Sequence, residues 1–247
     1  MLNGLMKLTW VETKVFVREP MGVVGSLGIP VVMFLVLGRI LGSPPGAGSA
    51  APAAPFNVAI LAAIIIAIGA VLSLISIIAI YREGGILKRL RATPLSPLTI
   101  LGAHVLVKLL FTVVGMALLV GAGRRFFPGA MQVNLLGFTV ALLLSTLSIL
   151  SLGFVLASLV RTARFAQPLG AAVLYPMLAL SGLFVPLEQM PKVVQVVALA
   201  FPTTHAVSLL NGIWDGSGLV AHWGNIVGLI VIFAVCCLVS VRLFRWE

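Results

Sequence analysis

Six long apolar stretches fill the chain: Met21–Leu41, Phe56–Ile80, Leu98–Ala122, Val133–Val160, Phe165–Pro186 and Trp223–Val241. A bilayer core of about 30 Å takes roughly 20 apolar helical residues to cross, and every stretch is long enough to do so. Composition agrees, since 61% of the 247 residues are hydrophobic and 9% are charged. Soluble globular domains lie far from those values. The expected fold is an all-α polytopic membrane protein with six transmembrane helices. No gap between stretches could hold a separate soluble unit, so residues 1–247 read as one domain.

The formal charge of +10 raises nucleic acid as a partner, but the placement of the charges argues for topology instead. With the N-terminus cytoplasmic, the inner side collects Lys7, Lys14, Arg18, Arg82, Lys88, Arg89, Arg91, Arg161, Arg164, Arg242 and Arg245. The outer side collects Arg39, Arg124, Arg125 and Lys192, and Lys108 falls within a span. Eleven against four is the positive-inside pattern, which puts both termini in the cytoplasm of a multi-pass plasma-membrane protein with no nucleic-acid role. Lys7, Glu12, Lys14, Arg18 and Glu19 interrupt the first twenty residues, so no signal-type apolar run precedes Met21 and targeting falls to the first span.

Several chemistries find no support. Cys236 and Cys237 are adjacent, hence about 100° apart on a helix, and suggest neither a disulfide framework nor a metal site. His104, His205 and His222 lack metal-ligand spacing. Asp215 is the one aspartate, which excludes an intramembrane aspartyl dyad. No catalytic residue and no metal ligand is assigned.

Residues 1–20 interleave Leu5, Leu8, Trp10, Val15 and Phe16 with charges, as a helix lying along the cytoplasmic face does. A plain lead-in to the first span is the alternative. Gly22, Gly25 and Gly28 form a small-residue stripe suited to close helix packing, or to a hinge. Ser145, Ser148 and Ser151 share one face; such hydroxyls bond carbonyls within the bundle or line a polar path. The uncharged Ser43–Pro55 segment reads as a flexible external connector. After Pro186, two short apolar segments meet at Pro202, which suggests an external re-entrant helical hairpin over 188–216. Lys108, with His104 one turn earlier, would cost about 2.5–3.5 kcal/mol near the bilayer centre. The preferred reading starts the third span near Val105 and lets Lys108 snorkel to the cytoplasmic interface; the alternative is a proton or ion relay.

The strongly basic loop over 81–97 is the main functional signal. If Gly85–Thr93 is helical, Ile86, Leu87 and Leu90 share an apolar arc, and Lys88, Arg89 and Arg91 take the rest. Pro94 and Pro97 would end it. An ordinary positive-inside loop would look similar, but the sequence detail goes further. The run Arg82-Glu83-Gly84-Gly85-Ile86-Leu87-Lys88-Arg89-Leu90-Arg91-Ala92-Thr93-Pro94-Leu95-Ser96-Pro97 resembles the segment after the second span of the ABC type-2 export permeases, the membrane subunits of a class of ATP-binding-cassette exporters. Ser181-Gly182-Leu183-Phe184-Val185-Pro186-Leu187, Met190-Pro191 and Phe201-Pro202-Thr203-Thr204-His205-Ala206-Val207 resemble that family's external hairpin. Together with six spans and the N-terminal segment, the resemblance covers nearly the whole chain.

That resemblance implies a partner ATPase subunit that holds ATP and Mg2+, no cofactor on this chain, and a second permease copy, a homodimer being the simpler assembly, in membrane lipid. The absence of any Gly-Lys dipeptide agrees, since a P-loop lysine has no place here. It further implies ATPase coupling through Glu83, Ile86, Leu87, Arg89, Leu90 and Arg91, braced by Glu12 and Arg18. A pathway between the second and fifth spans would draw on Ser73, Tyr175, Met177, Ser181 and Phe184. The external hairpin would be shaped by Pro186, Glu188, Pro191, Pro202 and His205. Methionine and aliphatic side chains repack around varied apolar ligands, which points to an amphipathic or lipid-like cargo such as a drug or hydrophobic metabolite. The rival is an ion- or proton-coupled secondary transporter, which the lack of any Asp or Glu inside the spans disfavours.

Overall fold

The computed structural model describes residues 2–41, 57–85, 97–127, 134–160 and 162–243. These residues are overwhelmingly helical. α1 is Leu2–Arg18, α2 Pro20–Val23, α3 Ile29–Leu41, α4 Val58–Glu83, α5 Pro97–Phe126, α6 Leu135–Leu159, α7 Ala163–Ala179, α8 Lys192–Leu199, α9 Pro202–Trp214, α10 Gly218–Ala221 and α11 Trp223–Leu243. α4 is rich in isoleucine, which favours strands in water. In hydrocarbon a helix alone satisfies its own backbone, so the same residues are helical there.

α4 and α6 form the centre. α4 packs against α3, α5, α6, α7 and α9, and α6 also meets α11. About 61% of each central span is buried, against 17% of the first span and 6% of the last. Glycine allows the closest approaches. A Cβ on Gly153 of α6 would stand 2.8 Å from Val71 Cγ1, and one on Gly170 of α7 would stand 2.8 Å from Leu72 Cδ2. Both are nearer than atoms pack, so these backbones touch α4 directly.

Among the described residues, five helices are long and apolar enough to span a membrane, or six if the bent pair Lys192–Leu199 and Pro202–Trp214 counts as one: Pro20–Ile40, Ile60–Glu83, Thr99–Phe126, Leu135–Leu159 and Trp223–Arg242. The stretch expected to span over Phe165–Pro186 is instead the 17-residue α7, followed by turns and a 3-10 turn at Leu187–Gln189. At 1.5 Å per residue α7 is about 26 Å long, a little short of the hydrocarbon core. α8 and α9 meet at 91°, the hairpin geometry expected between 188 and 216. α9 is sunk into the bundle with Thr203, Thr204, Val207 and Leu210 buried, whereas Val193 and Val196 of α8 are exposed. Thr203 Oγ1 donates to Met177 O at 3.0 Å, tying the hairpin to α7.

Two expectations about side-chain use need correction. A Cβ on Gly22, Gly25 or Gly28 would meet nothing of another helix within 4 Å among the described residues, so the stripe itself is not a close helix contact within this chain. The chain instead widens into a π turn over Val24–Gly28. Lys108 does not snorkel, because α5 begins at Pro97, eleven residues earlier, and the side chain is 3% exposed. Of the serines, Ser148 Oγ donates to Leu229 O of α11 at 3.0 Å and Ser151 Oγ to Ser148 O at 2.6 Å. Those two hydroxyls bond carbonyls inside the bundle.

Candidate functional site

The end of the bundle bearing the 84–96 loop, here the loop end, gathers α1, the last turn of α4, the start of α5 and the α6–α7 connection. α1 lies along α5. Leu5 reaches Gly102, Glu12 reaches His104, and Phe16 reaches Lys108 and Phe111. Part of the apolar face expected to lie on the membrane is therefore applied to α5, while Met6, Trp10 and Val17 remain exposed.

Between α1, α4 and α5 sits a buried polar cluster. Tyr81 O–H donates to Glu12 Oε1 at 3.1 Å, and His104 Nδ1 stands 3.6 Å from Glu12 Oε2. The Tyr81 and His104 rings meet edge-on with centroids 5.4 Å apart. One turn further, Lys108 Nζ donates to Ser73 Oγ at 2.6 Å and lies 4.5 Å from the Phe16 ring centroid. A small cavity bounded by Phe16, Ser26, Leu27, Gly69, Ser73 and Lys108 adjoins the ammonium. No Asp or Glu was expected inside the spans; Glu12 reaches α4 and α5 from α1.

The loop itself is entered through Arg82 and Glu83. Arg82 Nη1 donates to Ala157 O at 3.0 Å and to Val160 O. Glu83 Oε2 accepts the Ala163 backbone N–H at 2.7 Å. Ala157 and Val160 carry carbonyls at the C-terminus of α6, and Ala163 opens α7. Helix ends leave such groups without intrahelical partners, and the charges match the partial charges there.

Of the residues expected at the coupling contact, Glu12 is half-buried in the cluster, Glu83 caps α7, and Arg18 is exposed at the end of α1. Ile86, Leu87, Arg89, Leu90 and Arg91 lie outside the described residues. Of the residues expected along a pathway, Tyr175 and Phe184 are exposed, whereas Met177 and Ser181 are buried within the chain. Ser181 Oγ donates to Leu178 O at 2.6 Å, and Ser73 accepts from Lys108.

At the hairpin, Pro186 and Pro191 precede the 3-10 turn and α8, Glu188 is exposed, and Pro202 opens α9. His205 is a cross-brace: Nε2 lies 3.0 Å from Leu199 O and Nδ1 3.2 Å from Asn225 Oδ1, joining α8, α9 and α11. Asn225 Nδ2 donates to Ser208 Oγ at 2.9 Å. Sequence reasoning missed Asn225, Ser208, Tyr81 and the capping role of Arg82.

Comparison with known proteins gives two findings. The family model described as ABC-2 type transporter matches residues 4–213. The inner membrane transport permease YhhJ of Escherichia coli (strain K12) is 30% identical over 170 residues, covering 66% of this chain and 44% of that protein. The YhhJ of Shigella flexneri matches to the same extent. The chain thus spans less than half the length of these curated relatives. The family match takes in α1, the central helices, the loop end and the hairpin together, and the chain belongs to the ABC-2 type transporter family.

Proposed function

We propose that this chain is the transmembrane permease subunit of an ATP-driven exporter. It moves an amphipathic or lipid-like small molecule out of the cytoplasm or inner leaflet. ATP and Mg2+ are held by a separate nucleotide-binding ATPase. Two permease copies, a homodimer in the simplest case, sit together in lipid with their termini and 84–96 loops on the cytoplasmic side.

The observation that supports this best is the continuity of α4. One of the two most enclosed helices of the bundle runs unbroken to Glu83, where the basic segment begins. A partner that pushes on the loop acts on the centre of the molecule. Ile86, Leu87 and Leu90 supply the apolar anchor for that partner, with Arg89 and Arg91 orienting it and Arg18 nearby at the end of α1. Tyr175 and Phe184, exposed on and just after α7, are the pathway residues open to a cargo.

The test is capture of the detergent-solubilised chain from its native membrane, scored for a co-purifying P-loop ATPase. Stoichiometric recovery, abolished when Ile86, Leu87 and Leu90 are changed to Asp, is the expected result. Gentle solubilisation that recovers no ATPase counts against the reading. A second reading, proton-coupled transport, draws on the buried Glu12–His104 and Lys108–Ser73 pairs. Uptake into vesicles driven by an imposed pH gradient without ATP would favour it.

A further inference from the structure

Arg82 and Glu83 are the last two residues of α4, and both side chains leave their own helix to grip another part of the chain. Arg82 bonds two carbonyls at the end of α6, and Glu83 bonds the first N–H of α7. Thr162, at the N-cap of α7, makes no side-chain cap hydrogen bond. The adjacent cation and anion thus do what local caps do elsewhere, each facing the helix terminus of opposite partial charge.

We propose that Arg82 and Glu83 form a clamp that carries displacement of the end of α4 into the end of α6 and the start of α7, as positioning residues for coupling rather than as contacts to the ATPase. This rests on the permease reading above. Glu83 is the last residue of α4 and its carboxylate holds the first N–H of α7, so a shift of the end of α4 along the bundle axis draws on the first turn of α7. α7 is anchored again at its far end, where Met177 O accepts from Thr203 of the hairpin. A movement begun at the loop end therefore has a route along α7, which is tied at its start to Glu83 and near its end to Thr203 of the hairpin. A carboxylate whose oxygen caps a helix inside its own chain is also poorly placed to act as the docking charge.

The experiment uses the full chain in complex with its ATPase, with Cys236 and Cys237 changed to Ala and a reporter cysteine introduced by Phe165→Cys on the exposed face of α7. Maleimide labelling rates are compared between the nucleotide-free and the ATP-vanadate-trapped complex, alongside hydrogen exchange of the peptide over 160–168. The parent complex is expected to change its labelling rate on trapping. Glu83→Ala should keep the ATPase bound, lose the nucleotide-dependent change, and speed exchange in the first turn of α7 about fivefold, the effect of a missing cap. Glu83→Gln keeps an oxygen for the Ala163 N–H and should restore both readouts. The clamp is overturned if Glu83→Ala retains the full labelling change. It is equally overturned if Gln and Ala both release the ATPase, since the charge would then be a docking contact. A parent chain that captures no ATPase overturns the permease reading and the clamp together, and is told apart because it fails before any substitution.

Discussion

Lys108 shows how a single residue can be costly and still well placed. Its ammonium is buried between an aromatic ring and one hydroxyl, with no carboxylate in contact among the described residues. Removing the hydroxyl and removing the charge should therefore have unequal effects. Ser73→Ala strips a buried cation of its acceptor and is expected to lower stability by about 1–3 kcal/mol. Lys108→Met replaces the buried cation by an apolar side chain of similar length and should be near neutral or stabilising. Thermal unfolding midpoints in detergent decide the matter: the pairing is misassigned if Lys108→Met is the more damaging of the two. The double variant should resemble Lys108→Met, since without the cation the hydroxyl has nothing to satisfy.

Among the elements, the hairpin depends on one close contact with the last span. A Cβ on Gly228 of α11 would come within 2.8 Å of His205 Cε1, so the ring lies flat against bare backbone. Gly228→Ala should cost about 1–3 kcal/mol by overpacking. In a His205→Ala background the same change should cost little, a coupling that a double-mutant cycle measures directly. Additive losses would mean that His205 and Gly228 do not meet.

The elements also show what a sequence can and cannot disclose. Apolar length located the central spans to within a few residues, and the spaced prolines around Pro191 and Pro202 located the break between α8 and α9. The 22/25/28 glycine spacing misled, because small residues fit a π turn as readily as a helix contact, and periodicity cannot tell them apart. Lys108 was misplaced for a different reason. The start of a span was judged from local apolarity, while its partners, Ser73 and Phe16, come from other elements. Arg82 and Glu83 were read as loop charges because the helix ends they cap lie some 75–80 residues away in sequence.

Across the whole molecule, the proposed orientation makes a prediction independent of any ATPase. In a background with Cys236 and Cys237 changed to Ala, Ser49→Cys should react with a membrane-impermeant maleimide on intact cells. Ser96→Cys should react after the membrane is opened and not before. The reverse pattern would invert the topology and remove the 84–96 loop from any cytoplasmic partner.

The gradient of burial along the chain bears on how such a molecule is made. In chain order, a span that is 17% buried in the finished bundle, which lipid alone can accommodate, comes ahead of the central helices. The enclosed helices α4 and α6 follow and find partners in what has already been inserted. α9 could not have come early. It is too short to cross, and Thr203 is enclosed in the bundle with its hydroxyl donating to Met177 O of α7, a partner that lipid does not offer. Its binding walls, α4, α6 and α7, are all synthesised before it. The last span, 6% buried, then closes over it. Biogenesis in chain order delivers the hairpin to a shelter already built, so moving α9 ahead of α6 by circular permutation should trap the chain half-assembled even though every native contact remains encoded.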